Sequence, residues 1–347
     1  MRIQENFPLR GLTTLKIGGT ARYLISVTAA SELTEVVSFA ARKRLPLIIL
    51  GGGSNVLITQ TKLEAVVVRI EIRGVVWKEE GDETIVEAGA GESWDALVAE
   101  SVRRGLWGLE NLSGIPGTVG GAPIQNIGAY GTELKDVLEW VEVFDIPATQ
   151  KRQGEALPVA RFRLADCRLS YRESIFKSPE GKHLIVTRVA LRLRRTGKPN
   201  LIYKDLSNYF AHLPVPTLSE IREAVIAIRS RKFPDLKKFG TAGSFFKNPI
   251  ISAQKFAELK AKFPDLPGFA MRDEKELVKV SLAWVLDHIC NLKGFTKGRV
   301  ALFESQPIVL VNLGAADAAE VESFAAEVEA CVKEKTGIQI EREVRRI

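Results

Sequence analysis

Through the first half of the chain, apolar and polar positions mostly alternate in short runs, the period of half-buried strands, and twice switch to amphipathic-helix spacing. Residues 12–27, LTTLKIGGTARYLISV, alternate around Gly18-Gly19 and predict strand, turn and strand. Leu33, Val36, Val37 and Ala40 then recur on one helical face, behind a Ser31 cap and ahead of Pro46, which closes the segment. The wholly apolar run 47–50 reads as a strand. Further strands are expected at 65–70, 74–78 and 84–88, the last two joined by a Gly81-Asp82 turn, and at 140–145 and 184–194. Between them, 94–104 predicts a helix opened by Ser93 and closed by Gly105.

From Leu218 onward the pattern lengthens. Helices are expected at 219–229, 252–262, 281–291 and 317–335, strands chiefly at 308–312, and a closing strand in the tail IQIEREVRRI. The shift places a domain boundary near 218–230, and 347 residues suffice for two or three domains.

With 46% hydrophobic and 26% charged residues, the composition is that of an ordinary globular protein. No stretch approaches the roughly 18 consecutive apolar residues of a membrane span, and MRIQENFPLRGL has no apolar run of leader length. A cytoplasmic chain without membrane insertion is therefore expected. Cys167, Cys290 and Cys331 form no CxxC pair and are all expected as buried thiols.

The net charge of +7 gathers at Arg188, Arg192, Arg194, Arg195 and Lys198, and again at Arg229, Arg231, Lys232, Lys237 and Lys238. Aromatic interleaving, helix-turn-helix and zinc-finger spacings are all missing, so no nucleic-acid partner is expected. Small anionic ligands such as diphosphates and a merely solvated face both account for the clusters. His183, His212 and His288 stand at no ligand spacing, and no GxSxG elbow occurs, so neither a metal site nor a hydrolytic triad is expected.

Residues 111–131, NLSGIPGTVGGAPIQNIGAYG, are dense in glycine and carry no charged side chain. Such a loop lets the backbone approach a ligand closely, while Ser113, Thr118, Gln125 and Asn126 offer neutral hydrogen bonds. GGGSNVL at 51–57 can turn several N–H groups inward around a phosphate, and it also fits a plain tight turn. In GSFFKNP at 243–249, Ser244 beside Phe245 and Phe246 is either a rigidly held proton donor or part of a capped turn over a buried Phe pair. Arg172 in YRES is either a carboxylate clamp or a surface residue.

Taken together, LTTLKIGG, LGGGSNVL, GLENLSGIPGTVGGAPIQNIGAYG, YRESIFK, AGSFFKNP and EREVR, in this order, resemble the UDP-N-acetylenolpyruvoylglucosamine reductase family. The likeness covers nearly the whole chain and is closest to the longer subtype, which caps its substrate with a tyrosine loop. It implies an α+β fold: a two-part FAD-binding region of the vanillyl-alcohol-oxidase type, at 1–70 (joined by 337–347) and 71–228, plus an α+β substrate domain at 229–336. A monomer holding non-covalent FAD, with NADPH and UDP-N-acetylglucosamine enolpyruvate as its partners, is implied. The diphosphate loop would be Gly51, Gly52, Gly53, Ser54 and Asn55. Isoalloxazine and ribityl contacts would fall on Ile115, Pro116, Gly117, Gly120, Gly121, Gln125, Asn126, Gly128 and Ala129. Catalysis would rest on Arg172, Ser244 and Glu343, and substrate binding on Tyr130, Tyr203, Lys232, Asn248 and Gln306. Phe303 departs from the resemblance, standing where family members often place a histidine. A sugar oxidase with the same flavin cradle is the alternative; such enzymes commonly anchor flavin through His or Cys, and neither occurs in the 47–131 loops.

Overall fold

The computed structural model describes residues 2–147, 159–271, 274 and 276–347. Two compact units emerge: Met1–Phe7, Thr20–Gly53 and Lys62–Arg229 make the first, and Pro8–Gly19, Ser54–Thr61 and Ser230–Ile347 the second.

At the centre of the first unit's smaller sheet is Lys62–Ile70, flanked by Thr20–Val27 and Leu47–Leu50, both parallel to it, with Arg2–Pro8 at the edge. Ala65 to Val68 are nearly all fully buried, which explains why this run is continuously apolar rather than alternating. Helix Glu32–Lys43 connects Thr20–Val27 to Leu47–Leu50 and buries Leu33, Val36, Val37 and Ala40, as their spacing predicts. Ser31 occupies its N-cap without a side-chain bond; the Glu32 carboxylate instead accepts the N–H groups of Thr28 and Ala29. The larger sheet is antiparallel, in the order Val159–Arg163, Leu138–Asp145, Leu184–Arg194, Glu83–Gly89, Val75–Glu80. Helix Trp94–Arg103 follows, its Ala96 N–H donating to Ser93 Oγ at 3.4 Å.

The second unit pairs Gly240–Ser244, Gln306–Asn312, Val300–Phe303 and Thr296–Lys297 in one antiparallel sheet. Helix Ala318–Thr336, capped by Asp317, buries Val321, Phe324, Val328 and Val332. A smaller sheet orders Ile250–Ser252, Leu277–Val280 and Gly268–Ala270.

Four expectations need correction. Only Thr20–Val27 is a strand within 12–27, because Lys16 takes a φ of 56° and Thr13 Oγ1 donates to the Ile17 carbonyl at 2.7 Å; Leu15 and Ile17 are buried in the second unit's core instead. The 281–291 helix is an α-turn, Leu282–Trp284, running into a π-turn, Val285–Ile289. The second unit holds more strands than its pattern announces. Cys331 is only partly buried, whereas burial pushes the Cys167 and Cys290 thiols up to about 12.

Three residues of the first basic cluster, Arg192, Arg194 and Arg195, are paired with nearby glutamates. Arg192 reaches Glu139 at 2.8 Å and Glu83 at 2.7 Å, Arg195 reaches Glu79 at 2.6 Å, and Arg194 reaches Glu83 at 3.4 Å. No helix among the described residues is long and apolar enough to cross a membrane.

Candidate active site

Within the first unit, the two glycine-rich loops meet backbone to backbone. A Cβ added at Gly51 would lie 2.8 Å from Thr118 Oγ1, and one at Gly52 would lie 2.7 Å from Gly117 Cα. Gly120 packs as closely: its Cβ would strike that of Ala90 at 2.5 Å. Leu112, Val119, Ala122 and Ile127 anchor the longer loop in the core, while Ile115, Pro116, Gly117, Gly120 and Gly121 stay half-buried or exposed. The loop thus buries Leu112, Val119, Ala122 and Ile127 and leaves the stretches 115–117 and 120–121 accessible, an arrangement that fits a flavin against Gly51 to Gly53 and residues 115–129.

The YRES turn rests on this loop. Arg172 Nη2 donates to the Gly128 carbonyl at 3.0 Å, Ser174 Oγ to that of Ile124 at 2.6 Å, and Asn126 Nδ2 to that of Ser170 at 3.0 Å. Asn126 also donates to Glu133 at 3.0 Å and accepts from the Lys135 N–H at 3.0 Å, so its fully buried amide supplies position to the loop. Asn126, Tyr130 and Arg172 all hold positive φ, at 44°, 49° and 58°. For non-glycine residues that conformation costs roughly 1–2 kcal/mol each, a strain that collects at functional sites.

Tyr130 and Tyr203 meet edge to face, ring centroids 5.3 Å apart. Burial pushes the Tyr130 phenol up to about 12, against the nearby Arg229 guanidinium, so it remains a hydrogen-bond donor at neutral pH, while Tyr203 beside it is 42% exposed.

In the second unit, the tail lies beside the GSFFKNP segment. The Glu343 N–H donates to the Phe245 carbonyl at 2.8 Å, and the Lys247 N–H to that of Glu341 at 2.8 Å. Ser244 ends its strand opposite Val309, and Phe245 and Phe246 are essentially buried, so the Phe pair fixes a half-buried Ser244. Ser244 and Glu343 thus flank one residue. Arg342 is gripped by Glu322 and Glu329, each at 2.6 Å, and Glu341 pairs with Lys247 at 2.9 Å.

Ser54 and Asn55 group with this unit rather than with Gly51 to Gly53. Asn248 Oδ1 accepts the Leu282 N–H at 3.0 Å, Gln306 pairs across the turn with Phe303, and Lys232 ends helix Leu218–Lys232. Arg172, Tyr130 and Tyr203 belong to the first unit, and Lys232, Ser244, Asn248, Gln306 and Glu343 to the second.

Sequence reasoning passed over Asp95 and Arg222. The Asp95 carboxylate accepts the Gly114 N–H at 2.6 Å and Arg222 at 2.7 and 3.0 Å. An Asp in a helix's first turn reads as a dipole complement, which hid this contact.

Residues 21–150 match the model of an FAD binding domain, and residues 235–347 that of the UDP-N-acetylenolpyruvoylglucosamine reductase C-terminal domain. UDP-N-acetylenolpyruvoylglucosamine reductase of Chromobacterium violaceum is 38% identical, over 99% of this chain and 98% of its own. The Cupriavidus pinatubonensis reductase is 40% identical, over 98% and 97%. Among solved structures, the Thermus caldophilus UDP-N-acetylenolpyruvylglucosamine reductase is similar at a TM-score of 0.67 and 27% identity, covering 100% of this chain and 99% of that one.

Proposed function

The chain belongs to the UDP-N-acetylenolpyruvoylglucosamine reductase family, and from that premise we propose how its own residues divide the reaction. It is an FAD-dependent oxidoreductase that uses NADPH to reduce the enolpyruvyl group of UDP-N-acetylglucosamine enolpyruvate, giving UDP-N-acetylmuramate. FAD, when held by the glycine-rich loops, would supply the hydride chemistry that links NADPH to the terminal methylene of the enolpyruvyl group.

Gly51, Gly52, Gly53, Ser54 and Asn55 hold the FAD diphosphate, and residues 115–129 its ring and ribityl chain. As the methylene becomes a methyl, charge develops on the adjacent carbon and its carboxylate. Arg172 and Glu343 hold that enolate-like state, and Ser244 Oγ gives its proton to the carbon. Lys232 binds the sugar's diphosphate, Asn248, Gln306 and Tyr130 make further substrate contacts, and Tyr203 closes over the substrate. Residues 1–70 and 71–228 serve the flavin and 229–336 the UDP-sugar, in a cytoplasmic monomer that supplies peptidoglycan precursor synthesis.

The observation that supports these roles is the backbone bond from the Glu343 N–H to the carbonyl of Phe245, the residue next to Ser244. An anaerobic spectrum tests them. NADPH should bleach the bound flavin, and adding the enolpyruvyl UDP-sugar should restore the oxidised spectrum. Reoxidation by oxygen alone would indicate an oxidase and overturn the assignment.

A further inference from the structure

Gly114 is the last residue before the segment assigned to the isoalloxazine, and both its peptide polar atoms are held by charged side chains. Its N–H donates to Asp95 Oδ1 at 2.6 Å, and its carbonyl accepts from Arg229 Nε at 3.1 Å. The residue itself is left-handed, at φ 70°. Asp95 stands in the first turn of Trp94–Arg103, and Arg222 and Arg229 on Leu218–Lys232, so two helices converge on one peptide. Arg222, only 16% exposed, grips both Asp95 oxygens and fixes the carboxylate. The same helix start holds the loop on both sides of that point: Trp94 Nε1 donates to the Leu112 carbonyl at 3.1 Å and the Trp94 N–H to that of Gly117 at 3.1 Å.

We propose that Asp95 is a positioning residue for the flavin: fixed by Arg222, it orients the Gly114 peptide and so sets where Ile115, Pro116 and Gly117 meet the isoalloxazine. The assignment rests on the reading that these three residues contact the flavin. Charge-assisted bonds at both ends of a flexible glycine remove the freedom that residue would otherwise give the loop. Flavin hold and flavin electronics should then depend on Asp95, and do so separably from stability.

The test uses the FAD-loaded protein. FAD release on dilution is followed by the rise of flavin fluorescence, alongside the midpoint potential and thermal unfolding, for wild type, Asp95→Ala, Asp95→Asn and Arg222→Met. Asp95→Ala should release FAD at least about tenfold faster, the equivalent of ~1.4 kcal/mol, with a shifted potential. Arg222→Met loosens the carboxylate but leaves it within reach of the Gly114 N–H, so it should lower the melting temperature and speed release less than Asp95→Ala does. Equal melting losses in both variants, with release and potential as in wild type, would overturn the proposal. Should Asp95→Ala not fold, Asp95→Asn decides: severalfold faster release supports the role, and wild-type release refutes it. Wild-type protein that binds no FAD would refute the flavin reading itself.

Discussion

Asn55 Nδ2 donates to the Glu343 carbonyl at 3.1 Å, and the carbonyl of Asn55 accepts the Arg345 N–H at 3.0 Å. The residue assigned to the diphosphate loop thereby ties down the tail segment that carries the proposed catalytic carboxylate, just ahead of the parallel pairing of Val56–Leu57 with Arg345–Arg346. Asn55→Ala removes one of these bonds, worth about 1 kcal/mol. With FAD held saturating, the variant should slow flavin reoxidation by the sugar more than flavin reduction by NADPH, as stopped-flow absorbance would read. Equal slowing of both half-reactions would show that Asn55 serves the flavin alone.

Ser244 is held by a strand on one side and by the buried Phe245 and Phe246 on the other, so removing its hydroxyl should leave the backbone unmoved. Ser244→Ala should reduce normally with NADPH and lose roughly 10²–10⁴-fold in reoxidation by the sugar, the usual contribution of a positioned acid. Near wild-type turnover would exclude Ser244 as the donor.

The approach of Gly52 to Gly117 leaves no room for a methyl, since the atom in the way at 2.7 Å is backbone and cannot rotate aside. Gly52→Ala should push the two loops apart at a cost of about 1–3 kcal/mol and yield protein that purifies with little flavin. The ratio of visible to ultraviolet absorbance measures this directly; a wild-type ratio would mean that the loops do not jointly hold the cofactor.

Helix Glu32–Lys43 was legible because its burial leaves a helical period in the sequence, and strand Leu47–Leu50 because it is one short unbroken apolar run. Ile250–Ser252 and Gly268–Ala270 were not, being three residues long and largely exposed, too short for alternation to show. The loop at 111–131 declares itself through glycine, yet what holds it does not. Asp95, Ser170 and Arg229 reach it from distant segments, and Glu343 meets Phe245 from the far end of the chain. Such contacts leave no spacing to read, so the candidate residues came from motif likeness and their supports from the fold.

Glu110 opens the turn that leads into the loop, and it is only 5% exposed. Burial raises its carboxyl above the ordinary value, opposed by the Gly108 N–H, which donates to Oε2 at 2.7 Å. The unfolded chain ionises freely near 4.3, whereas the folded chain must keep the proton or bury the charge. Glu110 therefore favours folding most below that pH, and its contribution falls as pH rises through the window up to the raised folded value, then stays level. Glu110→Gln keeps an oxygen for the Gly108 N–H and has nothing to ionise. Urea unfolding at pH 4.5 and 7.5, with FAD equal in both, should show the variant gaining on wild type at the higher pH. A difference that is the same at both would mean that the buried carboxyl does not titrate against folding, and that its bond to Gly108 offsets the desolvation in full.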